Sequence, residues 1–492
     1  MGNSIVKKGL NKYKSLPVQV RASFWFLICS FLQKGISFLT TPIFTRLLST
    51  AEYGQYTVFY SWLDFTSIFV SLRLYYGVFV QGLVKYEDDR SAFASSMQGL
   101  ELTLCTAWTI VYLCAKDFWN DLLNLTTVQM LFMLILIWTA GAFRFWAAEK
   151  RNEFKYRALV ILTIVTTVAK PVLGIIFVIK AEDKVTARIF AVVLVEVAAY
   201  VWLFFIQMIR GKTFFSAKYW KHSLAFAIPL IPHYVSQTVL SSADRIMIRE
   251  MIGLSEAGIY GLAYAISNVM NIFNTALIQT MEPWIFHKIK ANKASDIAKV
   301  AYPALIGVAA VNLLLIAFSP ELVSIFAPKS YYNAIWIIPP VAMSVYFIFS
   351  YDLFASFQFY YEKKVFIMAG SIFGAVLNII LNYIFLQVFG YYAAAYTTFV
   401  CYLLYAVGHY LFMTKICKDY LEGIKVYDSK HVALISGTFI LTDFIFLLTY
   451  KNAIIRYLII LAFVVLAVVF RERIIRSAKM IMAIRSRKQQ DV

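Results

Sequence analysis

Charged residues are scarce in this 492-residue chain, at 15% against roughly 25% in a soluble domain. Hydrophobic residues make up 61% and the mean hydropathy is +0.70. That balance excludes a soluble globular protein and a disordered one. Long polar segments are missing as well. The gaps between apolar runs reach only about fifteen residues, which leaves no room for a soluble catalytic domain, and no enzyme activity is expected. Also absent is the alternating pattern of a membrane barrel, whose strands run about 10 residues. The five cysteines, Cys29, Cys105, Cys114, Cys401 and Cys417, lie in apolar runs or at their ends. They form neither a disulfide framework nor a C-x-x-C site, so neither a metal nor a cofactor is expected. No A-x-A cleavage site follows Lys7, Lys8, Lys12 and Lys14, and the first apolar run contains Lys34. That run reads as an uncleaved span.

What is present is a series of continuous apolar runs, which makes the fold class all-α and the protein a polytopic helical membrane protein. Fourteen runs can be marked, from 22–45 to 452–470. Each is long enough for a hydrocarbon core of about 30 Å. The second (54–83), eighth (257–286) and tenth (332–360) are longer than a span requires and are expected to tilt or protrude. With the N-terminus inside, cytoplasmic segments hold 33 Lys and Arg and outer segments 10. This is the positive-inside bias of an even number of spans. Both termini are therefore placed in the cytoplasm. The net charge of +19 reflects topology, and no nucleic-acid partner is expected. The basic stretch from Arg471 to Lys488 is interleaved with Ile474, Ile475, Met480, Ile481 and Ile484. It reads as an interfacial helix on the anionic lipids of the inner leaflet.

The chain also repeats. Glu52-Tyr53-Gly54-Gln55-Tyr56 and onward to Tyr60 match Glu256-Ala257-Gly258-Ile259-Tyr260 and onward to Tyr264, both as E-x-G-x-Y-x-x-x-Y, at an offset of 204. A second echo sets Glu149-Lys150-Arg151 against Glu362-Lys363-Lys364. The order implies two six-helix lobes, 1–210 and 211–418, followed by an extra helix pair and basic tail, 419–492. Transporters built from such parallel repeats carry substrate between the lobes by rocking.

Several local stretches resemble a known family. They are Leu47-Leu48-Ser49 with Glu52-Tyr53-Gly54, Ile228-Pro229-Leu230-Ile231-Pro232-His233, Ser242-Ala243-Asp244-Arg245, and Ser255-Glu256-Ala257-Gly258-Ile259-Tyr260. They are similar to the Wzx-type O-antigen or capsule repeat-unit flippases, the polysaccharide transporter branch of the MATE/MOP exporter superfamily. The resemblance implies a MATE/MOP-like fold in the bacterial cytoplasmic membrane. It also implies translocation of an undecaprenyl-diphosphate-linked oligosaccharide by alternating access, for surface polysaccharide biosynthesis. The partners it implies are this substrate, membrane lipids, and the polymerase or glycosyltransferases of the same pathway, with the chain itself a monomer. The alternative within the same fold is a cation-coupled drug or multidrug antiporter.

Charges deep in spans carry their own message. Lys34, Arg73 and Lys170 lie in spans 1, 2 and 5 of the first lobe. A charge at the bilayer centre costs about 2.5–3.5 kcal/mol on insertion scales, so it should face a cavity or a partner. Lys34 shares a helical stripe with Ser30, Ser37 and Thr41, and Lys170 one with Thr163, Thr166 and Gly174. Cationic walls suit a lipid diphosphate, with Arg able to bind it in bidentate fashion. The first lobe also holds the deep acids Asp64, Glu101 and Glu196. These either pair with the cations as a structural network or carry a coupling ion. The second lobe offers neutral groups suited to sugar hydroxyls: His233, Gln237, Asn271, Asn378 and Asn382. His233 also reads as a hydrogen-bonded packer at a Pro-kinked helix.

Overall fold

The computed structural model describes residues 18–472 together with 475, 476, 479 and 480. The N-terminal lysines 7–14 and most of the basic tail lie outside the described residues. All regular structure among the described residues is helical.

The chain divides into two compact units, 1–235 and 236–492. Helices α1 (Val18–Leu47), α2 (Thr50–Val70), α3 (Val78–Lys85), α4 (Arg90–Cys114), α5 (Lys116–Leu123), α6 (Thr127–Asn152), α7 (Tyr156–Lys180), α8 (Lys184–Gly211) and α9 (Ala217–Ala227) belong to the first. Helix α10 (Ile231–Met251) runs across the boundary. The second continues with α11 (Leu254–Ser267), α12 (Val269–Lys290), α13 (Ile297–Ala317), α14 (Ser319–Phe326), α15 (Ile338–Tyr360), α16 (Lys364–Phe389), α17 (Ala393–Tyr420), α18 (Ser429–Thr449) and α19 (Ala453–Val469).

Among the described residues ten segments are long and apolar enough to cross a membrane, one of which, 365–420, takes in α17 and nearly all of α16. Of the remaining expected spans, α2 and α4 are long enough but more polar, carrying Asp64 and Glu101, and α19 has 17 residues. The protein is thus a multi-pass, all-α membrane protein.

Several expected spans are broken, each for a local reason. Span 2 stops at Val70 and resumes at Val78. Leu72 (φ 50), Arg73 (φ 47) and Gly77 (φ 64) all adopt positive φ in between, where the chain leaves the helical ladder. Span 8 breaks at Asn268, between α11 and α12. Span 7 is α9, a 3-10 turn at Ile228–Leu230, and α10, because Pro229 and Pro232 each remove a backbone donor. Its helix runs on to Met251, leaving only Ile252 and Gly253 before α11.

The repeat has a structural counterpart. Helices α2 and α11 begin at Thr50 and Leu254, the same offset as the sequence motif. Ser49 caps α2: its Oγ accepts from Glu52 N (3.2 Å) and Glu52 Oε2 accepts from Ser49 N (2.7 Å). This reciprocal box satisfies two orphan donors. In α11 the cap position is Gly253, with the Glu256 carboxylate folded over it.

In the first unit α8 is the central helix, packed on α2, α4, α6 and α7, with α1 against α7. Close approach is enforced by glycine. A Cβ at Gly99 would lie 2.2 Å from the Phe214 carbonyl oxygen, and one at Gly211 2.0 Å from that of Ser91. In the second unit α15 is buried along most of its length and packs on α11, α12, α13 and α17. The appended pair docks through α18 on α13 and α15. Arg456 of α19 is buried and pairs with Glu321 of α14, which also accepts from Tyr457 Oη (2.7 Å).

Candidate functional site

The three deep cations have different fates. Lys170 Nζ sits 2.6 Å from Glu196 Oε1. The other Glu196 oxygen accepts from Thr139 Oγ1 at 3.0 Å. Tyr200 flanks the pair, its ring 5.7 Å from the ammonium, its hydroxyl donating to Thr166 Oγ1 (3.2 Å) and its face stacked on Phe143 (4.5 Å). For Lys170 the structural pairing is therefore the one observed, and Glu196 serves as its counter-ion.

Lys34 is exposed on α1 and makes no hydrogen bond or ion pair among the described residues. Arg73 is carried on the break between α2 and α3 rather than within a helix. Its guanidinium lies 5.4 Å from the Tyr234 ring centroid, and Tyr234 meets Tyr76 edge-on. His233 is half-buried beside Tyr234, so Arg73 and His233 meet in the first unit, although His233 was expected in the second lobe.

Two further arginines of the first unit are held by aromatic rings. Arg144 of α6 is exposed, with its guanidinium 4.3 Å from the Tyr75 ring. Arg188 of α8 is held between Phe44 (3.7 Å) and Tyr56 (3.5 Å), with Tyr53 at 5.7 Å. Cation–π contact holds a guanidinium in place without cancelling its charge. Among the described residues neither arginine has a carboxylate within ion-pair distance. Sequence reasoning assigned both to loops by their flanks.

The acids also differ. Glu101 is fully buried, both its oxygens lack a hydrogen bond among the described residues, and it lies against Gly141 of α6. Asp64 is exposed on α2.

The neutral groups split. Gln237 and Asn271 are half-buried, and Asn271 donates to Asn268 Oδ1 at the α11–α12 break. Asn378 and Asn382 were expected as sugar contacts and are instead fully buried. Asn382 Nδ2 donates to Asp244 Oδ1 (2.7 Å) and Asn378 Oδ1 (3.2 Å), and Asn378 Nδ2 to Thr398 Oγ1 (3.1 Å). In this conformation they tie α16 to α10 and α17. Asp244 itself escaped sequence reasoning because it was placed in a loop. The stripe Leu240, Asp244, Ile248, buried throughout, has the i, i+4, i+8 spacing of a continuing helix.

Comparison with known proteins fits this architecture. Residues 20–289 match the polysaccharide biosynthesis protein family. An uncharacterised membrane protein of Haemophilus influenzae is 21% identical over 365 residues, covering 70% of this chain and 84% of that one. Among solved structures, the inward-facing conformation of a multidrug resistance MATE family transporter of the MOP superfamily aligns with a TM-score of 0.58 at 14% identity, over 80% of this chain and 96% of that one. An outward-facing conformation aligns with a TM-score of 0.56 at 14% identity, over 82% and 96%. The fold is that of these transporters, and by its sequence the chain belongs to the polysaccharide biosynthesis protein family.

Proposed function

We propose that the protein is a flippase that moves an undecaprenyl-diphosphate-linked oligosaccharide repeat unit across the bacterial cytoplasmic membrane by alternating access, with both chain ends in the cytoplasm. The observation that carries this reading is the set of membrane-helix cations in the first unit, Lys34, Arg144 and Arg188, that have no carboxylate partner among the described residues. For Lys34, near the middle of α1, an uncompensated charge at mid-membrane costs about 2.5–3.5 kcal/mol. It is tolerated where it faces water or an anion, and a diphosphate supplies that anion. Family membership points to polysaccharide as the cargo class. Arg73, with Tyr234 and His233 beside it, extends the same face. Gln237 and Asn271 are the neutral groups offered to sugar hydroxyls. A drug antiporter of this fold would favour exposed acids, whereas of the three deep acids here Glu196 is paired, Glu101 is buried and Asp64 alone is exposed. Glu101 is the acid suited to taking up a coupling proton, since it is the buried one without a basic partner at ion-pair distance.

The test is Arg144→Ala and Lys34→Ala in cells making the surface polysaccharide. Membrane abundance is measured beside export and beside lipid-linked oligosaccharide held on the inner leaflet. Normal abundance, lost export and accumulated lipid-linked precursor are expected, with Arg144→Lys retaining part of the activity. Unimpaired export by the Ala variants would reject the cationic path.

A further inference from the structure

We infer that the α6–α7 hairpin and the start of α1 form a binding site for the headgroup of an anionic phospholipid of the inner leaflet. Arg21 of α1, Lys150 of α6, and Lys155 and Arg157 at the start of α7 line one cavity of about 430 Å³, together with Phe154 and Tyr156. Among the described residues no acidic side chain lines it. On the topology proposed above, this hairpin lies at the cytoplasmic face, where the negative headgroups of that leaflet sit.

Charge selects the ligand. Glu153 Oε2 meets both Lys150 Nζ (3.2 Å) and Lys155 Nζ (3.0 Å). Glu149 Oε1 pairs with Arg210 and lies 3.8 Å from Lys150 Nζ, and its Oε2 accepts from Gln207 Nε2 (2.7 Å). Two carboxylates thus serve three cations, and Arg21 and Arg157 add to the excess. Arg157 is exposed and forms no ion pair among the described residues. The Lys155 side chain is 68% exposed, so its remaining donors are open to a ligand. An ammonium has three donors and a guanidinium five, and phosphate oxygens accept them in charge-assisted bonds.

The turn itself singles out Phe154. Lys155 N donates to Lys150 O (2.9 Å) and Phe154 N to Arg151 O (3.2 Å), the paired bonds that close a helix around a left-handed residue. Glycine is the default there, yet Phe154 takes the position, at φ 54, and its ring stays exposed. The turn after α15 is built the same way. Lys363 N donates to Gln358 O (2.8 Å) and Glu362 N to Phe359 O (3.1 Å), with Glu362 at φ 52. In that turn the left-handed residue is acidic, and Tyr420 closes off Lys363 by accepting from its ammonium and placing a ring 4.5 Å away. The repeat keeps the turn in both units, and in the first it leaves cations open beside an exposed aromatic ring. That combination suits an amphiphile, whose phosphate meets the charges while its glycerol and first methylenes lie on the ring. A soluble anion would gain nothing from the ring. The inference goes beyond the cargo assigned above, since phospholipid binding is measured with no oligosaccharide present.

The experiment is native mass spectrometry of the purified full-length protein in detergent, titrated with phosphatidylglycerol or with phosphatidylethanolamine of the same acyl chains. Wild type is expected to take up its first phosphatidylglycerol at least about tenfold more tightly than phosphatidylethanolamine. Lys155→Gln with Arg157→Gln should weaken the first phosphatidylglycerol by about 10–30-fold and leave phosphatidylethanolamine unchanged. Lys290→Gln with Lys293→Gln, the same loss of charge at exposed positions of the second unit, should bind as wild type. Phe154→Gly relieves the left-handed residue, so it should keep or raise the unfolding temperature while weakening phosphatidylglycerol binding, which a purely structural role would not do. Equal affinity of wild type for the two lipids, or an equal loss in the Lys290 and Lys293 variant, would overturn the site. So would unchanged phosphatidylglycerol binding in the well-folded Lys155 and Arg157 variant or in Phe154→Gly. Displacement of phosphatidylglycerol by equimolar inorganic phosphate would assign the cavity to a free anion, and displacement by equimolar undecaprenyl diphosphate would assign it to the cargo; either would overturn the proposal.

Discussion

Lys170 of α7 and Glu196 of α8 face each other across the helix pair with 2.6 Å between Nζ and Oε1, and Thr139 of α6 holds the second carboxylate oxygen. Removing one partner of such a pair strands the other charge, at a cost of about 3–5 kcal/mol. Lys170→Met alone should therefore lower membrane abundance and unfolding temperature. Lys170→Met with Glu196→Gln should restore both, since the two neutral side chains keep the volume. Normal abundance of the single variant with export lost would instead place Lys170 on the substrate path.

Packing of α8 and the segment after it against α4 depends on two hydrogen atoms. At Gly99 and Gly211 an added methyl would strike backbone carbonyls, at 2.2 and 2.0 Å, and backbone cannot swing aside as a side chain can. Gly99→Ala and Gly211→Ala should each destabilise by about 1–3 kcal/mol or more, read as a lowered unfolding temperature in detergent. Gly35→Ala and Gly307→Ala, which meet nothing within 4 Å, should be neutral or slightly stabilising, as expected where alanine replaces glycine in a helix.

The sequence exposed the all-helical, multi-pass architecture and the matching starts of α2 and α11 because hydropathy and a shared helix start are local signals. The break after Val70 was not legible. Between Val70 and Val78 the only helix breaker in the sequence is Gly77, and the positive φ values of Leu72 and Arg73 reveal that the chain already turns before it. Asp244 was misplaced for the opposite reason. Its neighbours Ser242, Arg245 and Arg249 look like a loop, while Tyr260, Asn382 and Thr398, the residues that satisfy it, are remote in sequence. The pairing of Lys170 with Glu196 was one of two readings left open, since spacing of 26 residues says nothing about which faces of adjacent helices meet.

The start of α2 offers a smaller, cleaner test. Ser49→Ala removes the acceptor for Glu52 N and should cost about 1 kcal/mol. Ser49→Asp should preserve the cap. Gly253, the counterpart position before α11, has no side chain to lose, so Gly253→Ala should differ from Ser49→Ala in kind: its Cβ would come within 2.7 Å of Glu256 Oε2, which a movement of that carboxylate relieves. Thermal unfolding of the three variants checks this.

Membrane orientation can be read with single cysteines in a cysteine-free background. The helix running to Met251 makes Ile248 unsuitable, as it is fully buried. Ile252 and Phe215 are exposed. Ile252→Cys should react with an impermeant maleimide in intact cells, and Phe215→Cys only after permeabilisation. The reverse pattern would invert the topology and remove the argument that the basic loops are cytoplasmic.

The break between α2 and α3 has a mechanical meaning. Helix α2 is fastened to α6 and α8, while the short α3 is fastened to α4, α6 and α9, with Phe79 wedged against Phe93 and Phe145. A continuous rod would pass any twist at its outer end straight to its inner end. Here seven residues interrupt the ladder between two helices that share α4 and α6 as supports and differ in leaning on α8 or on α9. The two parts of this span are therefore not obliged to rotate together, and Arg73 lies on the link between them.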